Sequence, residues 1–263
     1  MPEVDSGGVR IRYETAGEGQ PLVLLHGWSC DRSWWTEPGY VDDLRRDHRL
    51  VIVDIRGHGA SDKPHEEAAY SKSALTADVF AVAAAEGLDR FAIWGQSYGG
   101  WVAWMTAAVG PEQVPAIVSS GMWDPRPQPE RPMETDEWSE ALRHGGTSAL
   151  VDRFKVDMGE MSDREFPPWA QAVTLRADPE ALLAARAVRW SDGVQDEDLG
   201  AFPVPALLIA GELEDVDDNA AKVAAMIPNG QSLRLPGLGH GGACAASALT
   251  VPTARTFLDR WFA

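Results

Sequence analysis

Five short apolar runs set the limits on this fold. "PLVLLHG" (21–27), "RLVIVDIRG" (49–57), "RFAIWG" (90–95), "VPAIVSSG" (114–121) and "VPALLIAG" (204–211) are rich in Val, Ile and Leu, and none alternates apolar with polar residues. A strand with one wet face alternates, so these runs need cover on both faces, as in a parallel sheet sandwiched by helices. "SALTADVFAVAAAEGL" (73–88) and "YGGWVAWMTAAVG" (98–110), which fall between runs, carry helical spacing and Ala-rich propensity. Strand and helix in alternation predict an α/β fold with a mostly parallel, doubly wound sheet and right-handed crossovers. The opening "GVRIRYETAGEG" (8–19) reads as an antiparallel hairpin strand at the sheet edge.

One stretch breaks the rhythm. Residues 123–202 hold no convincing strand and many prolines, tryptophans and charges, as in "WDPRPQPERPMETDEW" (123–138), with helical spacing in "DPEALLAARAVRW" (178–190). Strands resume at 204, so this stretch is expected to be a helical lid inserted between the sixth and seventh strands. Residues 1–122 and 203–263 would form the core. Long excursions that leave a core and return are commonly lids or binding loops.

Formal net charge is −17, from 40 acidic and 23 basic side chains. A nucleic-acid binder needs a basic footprint to displace counterions, so neither nucleic acid nor an anionic membrane is an expected partner. No apolar run reaches the roughly 20 residues of a membrane span, and "MPEVDSGGVRIRYE" lacks the basic start and apolar centre of a secretory signal. Cys30 and Cys244 make neither a disulfide framework nor a metal cluster. A cytoplasmic location is the expectation.

Chemistry concentrates around Ser97. Gly95-Gln96-Ser97-Tyr98-Gly99 is a G-x-S-x-G pattern that follows a strand and precedes a helix. A turn that sharp strains the serine backbone, requires small neighbours, and lifts Oγ beside a helix N-terminus that favours negative charge. A serine hydroxyl needs a base. Of six histidines, His240 sits in "LRLPGLGHGG" just after the expected last strand (231–235), where ligands collect in open parallel sheets. His48 and His65 read as surface residues, His144 lies in the insertion, and His26 and His58 read as structural. The base needs a carboxylate to hold its tautomer. The turn after "VPALLIAG" offers Glu214 and Asp215, either able to reach a neighbouring loop.

"LLHGW" (24–28), "DIRGHGASD" (54–62), "GQSYGG" (95–100), "IAGELED" (209–215) and "PGLGHGG" (236–242) follow one another in an order that resembles the α/β-hydrolase superfamily, in its lidded serine esterase and lactonase-like branch. The likeness spans nearly the whole chain apart from the insertion. It implies Ser97 as nucleophile, His240 as general base, and the backbone N–H groups of Trp28 and Tyr98 as oxyanion donors. The family usually has aspartate three residues after the glycine of "IAG", and here that place is Glu214. Asp215 is the next candidate acid, then Asp124, because some relatives carry the acid after the sixth strand. "RGHGASD" matches a loop that is generally scaffold.

The reaction so implied is hydrolysis of a carboxylic ester of a mostly apolar small molecule through an acyl-enzyme, with lactones and thioesters open to the same chemistry. Relatives that open epoxides use an aspartate in the serine's place. No P-loop, dinucleotide fingerprint or zinc pattern occurs, so no cofactor and no metal is expected, and the partner is a small-molecule substrate bound by a monomer or homodimer. Eleven tryptophans is a high count. Trp28, Trp34, Trp35 and Trp101 are candidates to border the site, and Trp123, Trp169 and Trp190 to line the substrate pocket. The competing readings are a cofactor-free oxygenase or perhydrolase, and a catalytically silent fold member.

Overall fold

The computed structural model describes residues 1–122, 124–126, 136–188, 194 and 199–262. Eight strands form one sheet: β1 (Glu3–Ser6), β2 (Val9–Ala16), β3 (Gln20–Leu25), β4 (His48–Val53), β5 (Ala92–Gln96), β6 (Ile117–Ser120), β7 (Ala206–Gly211) and β8 (Gly230–Leu235). Their spatial order is β1-β2-β4-β3-β5-β6-β7-β8. β2 runs antiparallel to β1 and β4, and all other neighbours are parallel. The N-terminal hairpin lies at the edge, as its alternating pattern predicts.

Both faces of the sheet are covered. Val23, Leu25, Val51, Val53 and Ile93 point into one layer with α3 (Lys72–Ala85), α4 (Tyr98–Val109) and α9 (Asn219–Met226). Leu22, Leu24, Leu50, Ile52 and Trp94 point into the other, with α1 (Ser33–Thr36), α2 (Tyr40–Leu44) and α11 (Ser247–Leu258). Successive residues of one strand thus enter opposite cores, which explains why the runs do not alternate. Trp35 belongs to the second layer. It packs edge-on against Tyr40 at 5.1 Å and Trp94 at 5.8 Å, and so serves the core rather than bordering the site. His48, expected at the surface, is buried at the start of β4, beside Gln20 of β3 and bonded through Nδ1 to Asp47 at 2.9 Å.

β3 is bonded to β4 on one side and to β5 on the other. The connections leaving β3 and β5 therefore diverge, and such a switch point opens a crevice at the strands' C-terminal ends. The "DIRGHGASD" loop is pinned beneath it. Arg56 donates two bonds to Asp78 of α3, at 2.6 and 2.5 Å, with both side chains 5% exposed.

Between β6 and β7 the chain makes α5 (Glu137–Met158), α6 (Ser162–Glu165), α7 (Pro168–Leu175) and α8 (Pro179–Val188), with no strand among its described residues. No helix among the described residues is long and apolar enough to cross a membrane.

Candidate active site

Ser97 stands between the end of β5 and the start of α4 with φ 51° and ψ −112°. A non-glycine residue held there costs on the order of 1–3 kcal/mol, so its surroundings must over-determine it. They do. A methyl group at Gly95 would lie 2.2 Å from Gly99 O, and one at Gly99 would lie 2.2 Å from Leu25 O. The two glycines let β3, β5 and α4 meet at van der Waals distance. The Ser97 N–H donates to Ser120 O at 2.7 Å, and its side chain makes no cap bond to α4. Tyr98 is the first residue of α4, so its N–H points out of the helix N-terminus.

His240 opens the short helix α10 (His240–Cys244) beyond β8. Its Nδ1 lies 2.6 Å from Glu214 Oε2. An ionised carboxylate can only accept, so Nδ1 carries the proton and Nε2 is the ring's acceptor nitrogen. Glu214 is itself fixed, because its Oε1 accepts the Gly211 N–H at 2.9 Å. The imidazole rests on Gly121, where φ is 66° and a methyl group would lie 2.7 Å from His240 Cε1. Gly121 follows Ser120, the residue that holds the Ser97 amide.

The other two candidate acids are occupied elsewhere. Asp215 is 1% exposed and accepts the Asn219 and Ala220 N–H groups at 2.7 and 2.8 Å, capping α9. Asp124 pairs with Arg126, at 2.7 Å to Nη2 and 2.8 Å to Nε.

The Trp28 loop lies against the elbow, where a methyl group at Gly27 would sit 3.4 Å from Ser97 Cβ. The Gly27–Cys30 turn is closed by a 3.2 Å bond from Cys30 N–H to Gly27 O, with Ser29 at φ 62°. His26 is structural: Nδ1 donates to Gly27 O at 2.8 Å and Nε2 accepts from Ile55 N–H at 3.1 Å. Burial holds its pKa below the usual histidine range and pushes that of His58 down to about 3. Burial also raises the thiols of Cys30 and Cys244 well above their ordinary range. Both stay protonated at neutral pH and make poor nucleophiles.

This fold has known counterparts. A family model of the alpha/beta hydrolase fold matches residues 20–150. An esterase of Rhodococcus sp. ECU1013 is 30% identical, each chain covering 98% of the other, with a TM-score of 0.77. The chain belongs to the α/β-hydrolase superfamily. A structure from work on carboxylesterases of Nitrososphaera gargenis superposes on this α/β-hydrolase with a TM-score of 0.85 over 99% of each chain, at 23% identity. Mouse epoxide hydrolase 4 is 31% identical over 117 residues, 44% of this chain. The match spans about a third of that relative's own length (32%).

The insertion of this α/β-hydrolase packs on the loop after β3. Trp28 Nε1 donates to Leu182 O at 3.0 Å, and the Arg186 guanidinium stacks 4.6 Å over the Trp28 ring. Arg186 is buried between Trp28 and Trp138 and bonded to Asp136. Ser29 Oγ lies 3.4 Å from Thr174 Oγ1. Trp169 packs edge-on against Trp34 at 4.9 Å, while Trp101 stacks on Tyr98 at 6.1 Å. Trp123 and Trp190 lie outside the described residues. No group of three or more His, Cys, Asp or Glu side chains placed to hold a metal ion occurs among the described residues.

Two residues near these loops escape sequence reading, Arg186 and Glu165. Both lie on helical surfaces of the insertion, where a charged residue reads as solvated. For Glu165 one signal was available: the glycines crowded around His240.

Proposed function

We propose that this α/β-hydrolase is a serine hydrolase that cleaves carboxylic esters of mostly apolar small molecules, with lactones and thioesters within reach. The observation that carries the reading is the 2.6 Å contact between Glu214 and His240 Nδ1, made by an imidazole seated on the residue next to Ser97's own backbone partner.

Ser97 Oγ attacks the carbonyl carbon while His240 Nε2 takes its proton. Glu214 holds the tautomer and stabilises the imidazolium. The oxyanion lodges against the N–H groups of Tyr98 and Trp28, each such donor being worth roughly 10²–10³ in rate. Collapse expels the alcohol, protonated by His240, and leaves an acyl-enzyme. Water deprotonated by His240 then releases the acid and restores Ser97. The Rhodococcus esterase supports this reaction class. The epoxide hydrolase likeness covers less of the relative, and an alkyl-ester intermediate needs a carboxylate where this chain has a hydroxyl.

The test is turnover of a p-nitrophenyl acyl series together with labelling by a fluorophosphonate. The parent should hydrolyse esters and label at Ser97, and Ser97→Ala should lose both. Turnover by Ser97→Ala near the parent rate would refute the mechanism.

A further inference from the structure

Three of the four glycines in "GLGHGG" (237–242) have no conformational reason to be glycine. Gly239, Gly241 and Gly242 show no left-handed backbone; among the four, only Gly237 does. What they share is a neighbour, Glu165, at the end of α6 in the insertion. A methyl group at Gly239 would lie 2.9 Å from Glu165 Oε2, one at Gly242 would lie 2.5 Å from Glu165 Oε1, and one at Gly241 would lie 1.9 Å from Glu165 O.

The Glu165 side chain is buried, at 4% exposure, and its oxygens reach across His240. Oε1 accepts the Gly239 N–H at 2.9 Å, and Oε2 accepts the Gly242 N–H at 2.6 Å. The first amides of a helix have no acceptor within it, and a side chain at the preceding residue normally supplies one. Gly239 precedes α10 and has no side chain to offer. A carboxylate from a distant helix takes that place, spanning the amide before His240 and the amide two residues after it.

Resting on the reading of His240 as general base, we propose that Glu165 is a positioning residue that clamps the His240 loop and joins it to the α5–α8 insertion. With the loop held on both sides, the imidazole keeps its seat on Gly121 while Nε2 takes and returns a proton. Glu165 itself transfers nothing.

Glu165→Gln is nearly isosteric but keeps a single acceptor, so one of the two amides would face an NH₂ group. A misplacement of about 1 Å at a reacting group costs roughly 10²-fold. We therefore expect kcat per fluorophosphonate-titrated site to fall about 10- to 100-fold with KM within about twofold. A merely structural role would instead lower the titratable fraction and leave kcat per site unchanged, and that result overturns the proposal. Gly242→Ala is expected to be damaging alone but to add nothing in a Glu165→Ala background, because the clashing carboxylate is gone; additive losses count against the clamp.

One measurement needs no variant. Amide exchange in the parent protein should be slow at Gly239 and Gly242, and fast exchange at both removes the bonds the clamp consists of. His240→Ala separates the two claims. If it turns over like the parent, the base assignment fails and the positioning role falls with it. If it is inactive while Glu165→Gln keeps the parental kcat per site, the positioning role alone fails.

Discussion

Replacing Glu214 by glutamine exchanges one oxygen for an NH₂ group, and the structure gives the carboxylate two duties. Oε1 accepts the Gly211 N–H and Oε2 accepts the His240 Nδ1 proton. Glutamine has one acceptor for the two. With its oxygen toward Gly211, the NH₂ faces Nδ1, the ring adopts the other tautomer, and Nε2 can no longer act as base. With its oxygen toward His240, the tautomer survives but the part-buried Gly211 N–H loses its acceptor, at about 1–3 kcal/mol. The imidazolium also loses a charged partner, another roughly 1.5–3 kcal/mol. The first cost falls on stability alone, whereas the second is felt only once the imidazolium forms, so even the better arrangement should lower kcat roughly 10- to 100-fold. The assay is kcat and KM on a p-nitrophenyl ester, with a melting curve to show that the variant is folded. Asp215→Asn is the control: it weakens the α9 cap by about 1 kcal/mol and leaves kcat within about twofold. Glu214→Gln within tenfold of the parent, with Asp215→Asn or Asp124→Asn down a hundredfold, would refute the assignment.

Asp78→Asn strands the Arg56 charge inside the protein and should cost about 3–5 kcal/mol, read as a fall in Tm of roughly 10 °C; an unchanged Tm means that the pair does not hold the loop after β4. His65 lies 3.2 Å from Asp178 and 2.9 Å from Glu180 at the start of α8, and its bond to Asp178 raises its pKa above the usual range. A raised value in the folded state means the stabilisation is complete at acid pH and lost as pH climbs through that value. Melting curves of the parent and His65→Gln from about pH 5 to about pH 9 should therefore diverge at the acid end and converge at the alkaline end; a gap that widens with pH contradicts the contact.

The sheet was legible because its strands obey one simple rule. Leu22 to Leu25 are apolar without alternation since each face meets its own layer of helices, and that pattern can be read one residue at a time. Ser97 was legible for a related reason: crowding at the elbow leaves only glycine at 95 and 99, and although the Gly99 neighbour Leu25 is distant in the chain, the resulting G-x-S-x-G pattern is contiguous. The acid was not. Glu214 and Asp215 are adjacent and chemically alike, and only the turn after β7 sends one to His240 and the other to the α9 amides. His48 was misjudged because burial at a strand's first residue depends on what folds over it, not on the strand itself. Glu165 could not be singled out for the same reason on a larger scale: the glycines around His240 signal a close neighbour, but that neighbour lies more than seventy positions away (74 and 77).

The helices between β6 and β7 hold on to both loops that flank Ser97, Thr174 and Leu182 gripping Ser29 and Trp28, and Glu165 gripping Gly239 and Gly242. Grafting this segment from another superfamily member would strip both loops of their anchors at the same time. Chimeras of this protein will keep their rate only when the donor brings its own counterparts of these three residues. The anchoring of both loops is inherited here through a single stretch of polypeptide.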